Sequence, residues 1–192
     1  GLAISTDSRM KFDGTGDYLS TADSSDWDFS GQFTVEGWFN WDSVHASVTG
    51  DLIGTATNAA YLGASKSGWV LGYKNSSTDL MFSYQSNNSW VFEYSFDFTP
   101  SLGVWYHVAV SRDGSNDIRM FVDGVQVGST ESDSTSLATT ESGPWIGGGY
   151  NSTARLLDGY MDEIRISNTA RYTAAFTPQT RGNPFTADAN TK

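Results

Sequence analysis

An all-β fold of two packed sheets is what this sequence predicts. Three observations predict it: apolar residues alternate with polar ones, turn residues interrupt the chain at short intervals, and strong helix formers are scarce. Lys occurs four times and Glu five, against seventeen Asp and 20 Gly, so residues that favour turns outnumber those that favour helix interiors. About a dozen candidate strands spaced by roughly 8–12 residues suit a sandwich.

The elements follow in order. Short strands are expected at 9–12 and 18–22. From Gln32 to Trp41, Phe33, Val35, Gly37, Phe39 and Trp41 share one face and Thr34, Glu36, Trp38 and Asn40 the other, so neither face reads as wet. Further strands are expected at 51–54, 60–63, 69–73 and 80–84. Trp90, Phe92, Tyr94, Phe96 and Phe98 then make the strongest apolar row, opposed by Val91, Glu93, Ser95 and Asp97 and ended by Pro100, which reads as a central core strand. Val104, Tyr106, Val108 and Val110 alternate with Trp105, His107, Ala109 and Ser111. A polar loop around Asp113 and Gly114 leads to a strand carrying Ile118, Met120 and Val122. Asp123 and Gly124 stand directly between Val122 and Val125, where a two-residue type I′ turn needs positive φ at both positions. Residues 129–143 read as a surface loop, and strands return at 144–147 and 159–167. Residues 168–177 suit one or two helical turns capped by Asn168. Beyond Pro178 no periodicity remains. The domain is therefore expected to span 1–178, with 179–192 an extended tail or interdomain linker.

Composition excludes several functions. A chain of 192 residues without repeats fits one domain, and 38% hydrophobic residues with 7 Trp, 9 Tyr and 11 Phe supply a core. Net charge of −11 and a pI near 4.3 would repel phosphate backbones, so nucleic acid is not an expected partner. There is no cysteine and there are only two histidines, His45 and His107, which removes disulfides, thiol nucleophiles and the usual zinc sites. No run of about eighteen apolar residues is present, and membrane insertion is not expected. With Gly1 in place of an initiating Met, the chain reads as a piece of something longer.

Four motifs, Lys11 to Leu19 (KFDGTGDYL), Phe33 to Trp38 (FTVEGW), Trp105 to Val110 (WYHVAV) and Gly159 to Ile166 (GYMDEIRI), together with the Val122–Val125 hairpin, resemble the laminin-G-like, concanavalin A-like lectin/glucanase family. The resemblance spans nearly the whole chain. It implies a jelly-roll β-sandwich of two curved antiparallel sheets, in agreement with the periodicity. The run from Asp162 to Pro178 also resembles segments of such domains in bacteriophage virion and bacterial surface proteins, which implies an extracellular or virion location and neighbouring domains of the same particle or surface as partners.

The resemblance further implies a structural Ca2+ between the first turn and the last strand, held by Asp13, Asp17 and Asp162. The Asp13-Gly-Thr-Gly-Asp17 turn has the oxygen-rich character that calcium needs. The alternative is that Asp13 and Asp17 hydrogen-bond their own turn while Asp162 pairs with an arginine.

Sugar recognition needs an aromatic platform with amide or carboxylate groups around it. Trp69 and Tyr73 on one strand face, Asn88 and Trp90 at a turn, and Tyr150 and Asn151 after the triple glycine are the candidates. No catalytic residues are assigned, because no nucleophile elbow, zinc-protease motif or phosphate loop is present. Asp162 and Glu163, adjacent on a strand, should point to opposite faces and so cannot form a glycosidase pair. Glu36 and Glu163 are the first positions at which to test for hydrolysis, and His107, with no carboxylate near it in sequence, reads as structural. The expected function is a non-catalytic, lectin-like adhesion module for glycans. The rivals are a virion decoration domain that binds only protein, and a glycoside hydrolase or lyase.

Overall fold

The computed structural model describes residues 9–44, 49–56, 66–74, 78–87, 89–140, 142–149 and 155–192. Among these, the strands are β1 (Met10–Asp13), β2 (Leu19–Ser20), β3 (Phe33–Ser43), β4 (Thr49–Gly54), β5 (Ser67–Lys74), β6 (Asp79–Ser86), β7 (Ser89–Asp97), β8 (Trp105–Arg112), β9 (Asp117–Val122), β10 (Val125–Ser132), β11 (Trp145–Ile146) and β12 (Asp158–Ser167). The only helical element among them is a 3-10 turn at Ser25–Trp27. The expected strand at 60–63 lies outside the described residues.

The strands form two six-stranded sheets, ordered β1-β12-β3-β8-β9-β10 and β2-β11-β4-β5-β6-β7, with every pairing antiparallel. They stack as a jelly-roll sandwich. Its core is aromatic: Phe29 stacks on Phe33 at 4.7 Å, and Trp69, Phe82 and Phe92 continue the chain of rings. Asp123 and Gly124 take φ of 49° and 77°, as the tight hairpin requires. A side chain at 124 would also collide with the Phe176 carbonyl oxygen, 1.9 Å from the Cβ position.

Three expectations need correcting. The aromatic row from Trp90 lies on β7, which is an edge strand and not a central one. Its inward rings, Phe92 and Phe96, are buried because the first sheet closes over that face, while Val91 and Ser95 stay exposed. The surface loop begins only after β10 ends at Ser132, and its Leu137 is buried by a two-way backbone bridge to Phe29.

The third correction concerns residues 168–177, which form no helix. Their backbone donors are spent on the sheet instead: Arg171 N–H donates to Thr34 Oγ1 and Phe176 N–H to the Gly124 carbonyl. From there the chain, without regular secondary structure, packs as a strap along the outer face of the first sheet. Arg181 pairs with Asp162, Arg171 with Asp188, and Lys192 N–H donates to the Ile166 carbonyl. This strap explains why both faces of β3 are apolar enough to be buried: Phe33, Val35, Phe39 and Trp41 face the core, while Thr34, Glu36 and Asn40 lie on the opposite, strap-side face.

One buried cation organises the far end. Arg112 is fully shielded, its Nε donating to Gly31 O (2.8 Å), Nη1 to Thr135 O (2.6 Å) and Nη2 to Phe29 O (2.9 Å), with the guanidinium over the Phe33 ring. It ties the loop before β3 to the segment after β10.

Candidate functional site

The sugar-binding candidates separate by strand position. Trp69 sits mid-strand on β5, 0% exposed, with its indole N–H donating to Trp27 O at 3.0 Å. Tyr73, on the same inward face and 3% exposed, packs against Trp41 and lines a narrow crevice with Leu52 and Leu157 at one end of the sandwich. Both are core residues and offer no platform, because β5 is flanked on both sides and its inner face is roofed by the other sheet. Asn88, Tyr150 and Asn151 lie outside the described residues.

Trp90 is different. It is 40% exposed on the edge strand β7, at the start of a bulge where Tyr84 pairs with Phe92 and Gln85 with Trp90. The register lays rows across the outer face of this sheet: Trp90, Gln85 and Gly68 in one, Glu93, Ser83 and Val70 in the next. Beneath the aromatic rim the floor is polar and small. Ser83 Oγ is buried and meets no hydrogen-bond partner among the described residues, and Glu93 is held by an ion pair with Lys74 from β5. Gln85 and Ser83 are each 1% exposed, so the groups here that a sugar's C–H face and hydroxyls can reach are the Trp90 ring and the part-exposed Glu93 carboxylate.

The three aspartates do not form one metal site. Asp13 Oδ1 accepts from Thr15 N–H at 2.8 Å and Asp17 Oδ2 from Asp13 N–H at 3.2 Å, the bonding of a self-contained turn. Asp162 accepts from Arg181 Nη1 at 3.1 Å and from Glu163 N–H at 3.0 Å. The physical reason is register. Asp13 pairs with Asp158, so Asp162 lies four residues further along β12, roughly 13 Å away at about 3.3 Å per residue. Among the described residues no three His, Asp or Glu side chains are grouped to hold a metal.

The carboxylates named for a test of hydrolysis are both engaged. Glu36 is fully shielded: Oε1 accepts from Arg165 Nε at 2.8 Å, and Oε2 accepts from Tyr172 O–H at 2.8 Å and faces His107 Nε2 at 3.1 Å. His107 does have a carboxylate partner, supplied from 71 residues away by β3 pairing with β8. Burial raises the Glu36 pKa, but the His107 hydrogen bond and the Arg165 charge and hydrogen bond outweigh it and hold the group below its ordinary value. A carboxyl kept ionised under a strap has no proton to give and cannot serve as a general acid.

Asp162 and Glu163, expected on opposite faces, both face the strap. A register shift follows Asp162, Glu163 takes φ of 50°, and its Oε2 accepts from Phe185 N–H.

The Glu36 network gives a pH signature with a defined sign. A carboxylate whose native pKa is lowered adds stability that is complete above its unfolded value, near 4.5, and that is lost as pH falls through the lower native value. Melting temperature should therefore drop on the acid side, and Glu36→Gln should reduce that slope while lowering the plateau at neutral pH. Thermal melts of both proteins across pH 3–8 (roughly the range that brackets carboxylate and histidine titration) check this; parallel curves would exclude Glu36 as a source of the slope.

Three comparisons bear on these sites. Residues 13–175 match the family described as the concanavalin A-like lectin/glucanases superfamily. No curated protein matches the chain. Among solved structures, the CBM40 of the Ruminococcus gnavus IT-sialidase bound to α2,3 sialyllactose is similar at a TM-score of 0.64 and 11% identity, over 85% of this chain and 91% of that one. A Bacteroides ovatus protein described as a candidate carbohydrate binder gives 0.61 and 20%, over 81% of this chain, which spans only 42% of that protein. Domain 4 of a Geobacillus stearothermophilus extracellular arabinanase, in complex with arabinotriose, gives 0.51 and 18%, over 84% of this chain and 66% of that one. At these identities the likeness is one of fold.

Proposed function

The chain belongs to the concanavalin A-like lectin/glucanases superfamily, and on that premise we propose that it is a non-catalytic carbohydrate-binding module whose ligand lies along the outer face of the second sheet, against Trp90. The observation that carries this reading is Trp90 itself: a part-exposed indole on an edge strand, in direct register with Gln85 and one row from the Ser83–Glu93 pair. The solved neighbours that carry sugars, one with sialyllactose and one with arabinotriose, support the ligand class. The engagement of Glu36 and Glu163 in the strap supports the absence of hydrolysis.

A glycan array identifies the sugar, and Trp90→Ala tests the site. Removing an aromatic that anchors a ligand costs about 2 kcal/mol or more, roughly thirtyfold in affinity. The melting temperature should stay nearly constant, because the ring is not part of the core. An array hit that binds the variant and the wild type equally would place the sugar elsewhere.

A further inference from the structure

Opposite the Trp90 rim, the sandwich has a second groove. It opens where the edge strand of one sheet, β1, comes beside the edge strand of the other, β2, and it is lined by Met10, Lys11, Phe12, Asp17, Tyr18 and Leu19. Its cavity volume is about 290 Å³, at the lower end of small-ligand sites. Tyr18 is 45% exposed yet fixed in place: its ring stacks on Trp145 at 4.1 Å with 19° between planes, and the Trp145 indole N–H donates to Ser142 Oγ at 2.8 Å. An exposed ring held rigid before binding loses little entropy when a ligand settles on it.

We propose that this groove is a second carbohydrate subsite, selective for uncharged sugars and separate from the Trp90 face. The proposal rests on the carbohydrate-binding reading and adds a site and a ligand class to it. Tyr18 supplies the platform, and Met10 and Leu19 add apolar contact for ring C–H groups. Asp17 spends Oδ2 on the Asp13 N–H and has Oδ1 to accept from a ligand hydroxyl. The selectivity comes from charge. Lys11 is the cation of the lining, and it is neutralised by ion pairs to Asp42 and Asp158. With Asp13 and Asp17 beside them, four carboxylates surround two cations, Lys11 and the Arg9 that shares the Tyr160 ring with it, and the surroundings disfavour a sugar carboxylate in a chain that already carries a net −11. β2 and β7 are the two opposite edges of one six-stranded sheet, so the subsites stand roughly 24 Å apart at about 4.8 Å per strand and bind independently.

The test is a titration of the whole chain followed by amide NMR shifts, with arabinotriose and cellotriose as neutral probes and α2,3 sialyllactose as the acidic one. Residues 10–19 and 145–146 report the groove, and residues 83–93 report the Trp90 face. At least one neutral probe should shift the groove set. Tyr18→Ala should weaken that binding about tenfold or more while Tyr18→Phe keeps most of it, and sialyllactose should leave the groove set still. Tyr18→Ala should leave the Trp90 set responding as before. A groove set unmoved by both neutral probes at millimolar concentration overturns the proposal, and so does an equal response in Tyr18→Ala. A groove set shifted as strongly by sialyllactose overturns the selectivity. A response confined to residues 83–93 removes the groove and keeps the principal site, whereas a response confined to the groove does the reverse.

Discussion

A chain ending at Ser167 should lose on the order of 5 kcal/mol of stability and melt about 10–20 °C lower than the full chain. The loss has two sources. Tyr172, Phe176 and Phe185 cover His107 and Phe121 on the outer face of the first sheet, with Tyr172 and Phe176 stacked face to face at 3.5 Å; each partly covered aromatic contributes about 1–2 kcal/mol. Their removal also uncovers Glu36 and takes away its tyrosine donor. Phe176→Ala is the graded version, with a cost of about 2–3 kcal/mol, because the ring is half-buried and the cavity opens to solvent. Calorimetry reads both. If the shortened chain melted within about 2 °C of the full one, the strap would be an ornament on a self-sufficient sandwich.

Arg112→Met should cost about 3–5 kcal/mol, lowering the melting temperature by on the order of 10 °C. Burial already depresses the Arg112 pKa, with the Asp133 charge opposing the shift, which shows how dry the site is. Methionine fills similar volume but takes the side-chain donor from the carbonyls of Gly31 and Thr135, while Phe29 O keeps the Leu137 N–H. Arg112→Lys should recover only part of the loss, because a single ammonium cannot reach three carbonyls fixed in a fork. Equal stability of the methionine variant and wild type would show that those carbonyls find other donors.

The sandwich was legible because its signals are local. Alternation along β3 and β8 and the Asp123-Gly124 turn each fall within a few residues, and register then follows from pairing. Burial on a given face was not legible. Trp69 and Trp90 both sit in alternating strands, and only the order of strands in the sheet makes one a core residue and the other a rim. The same limit hid the partner of His107, which reaches Glu36 across 71 residues. The fixed placement of the exposed Tyr18 ring carries no local signal, because it depends on Trp145, 127 positions away in the chain. The strap lacked periodicity because it forms no strand of its own and meets β12 only through an isolated bridge at Thr191. Its aromatics at 172, 176 and 185 are spaced to meet side chains of a sheet, a pattern that no repeat betrays.

The strap also orders events in time. Its anchors, Thr34, Glu36, His107, Gly124 and Asp162, come from β3, β8, the β9–β10 hairpin and β12, and they adjoin one another only after those strands have paired. Docking of residues 168–192 is therefore expected to follow the folding transition state, and a φ-value near zero for Phe176→Ala checks it. Substitutions in the strap should then raise the unfolding rate and leave the folding rate nearly unchanged, whereas slowed folding would put the strap in the nucleus. On that expectation the C-terminal segment sets how long the domain lasts once formed, separately from how quickly the sheets assemble.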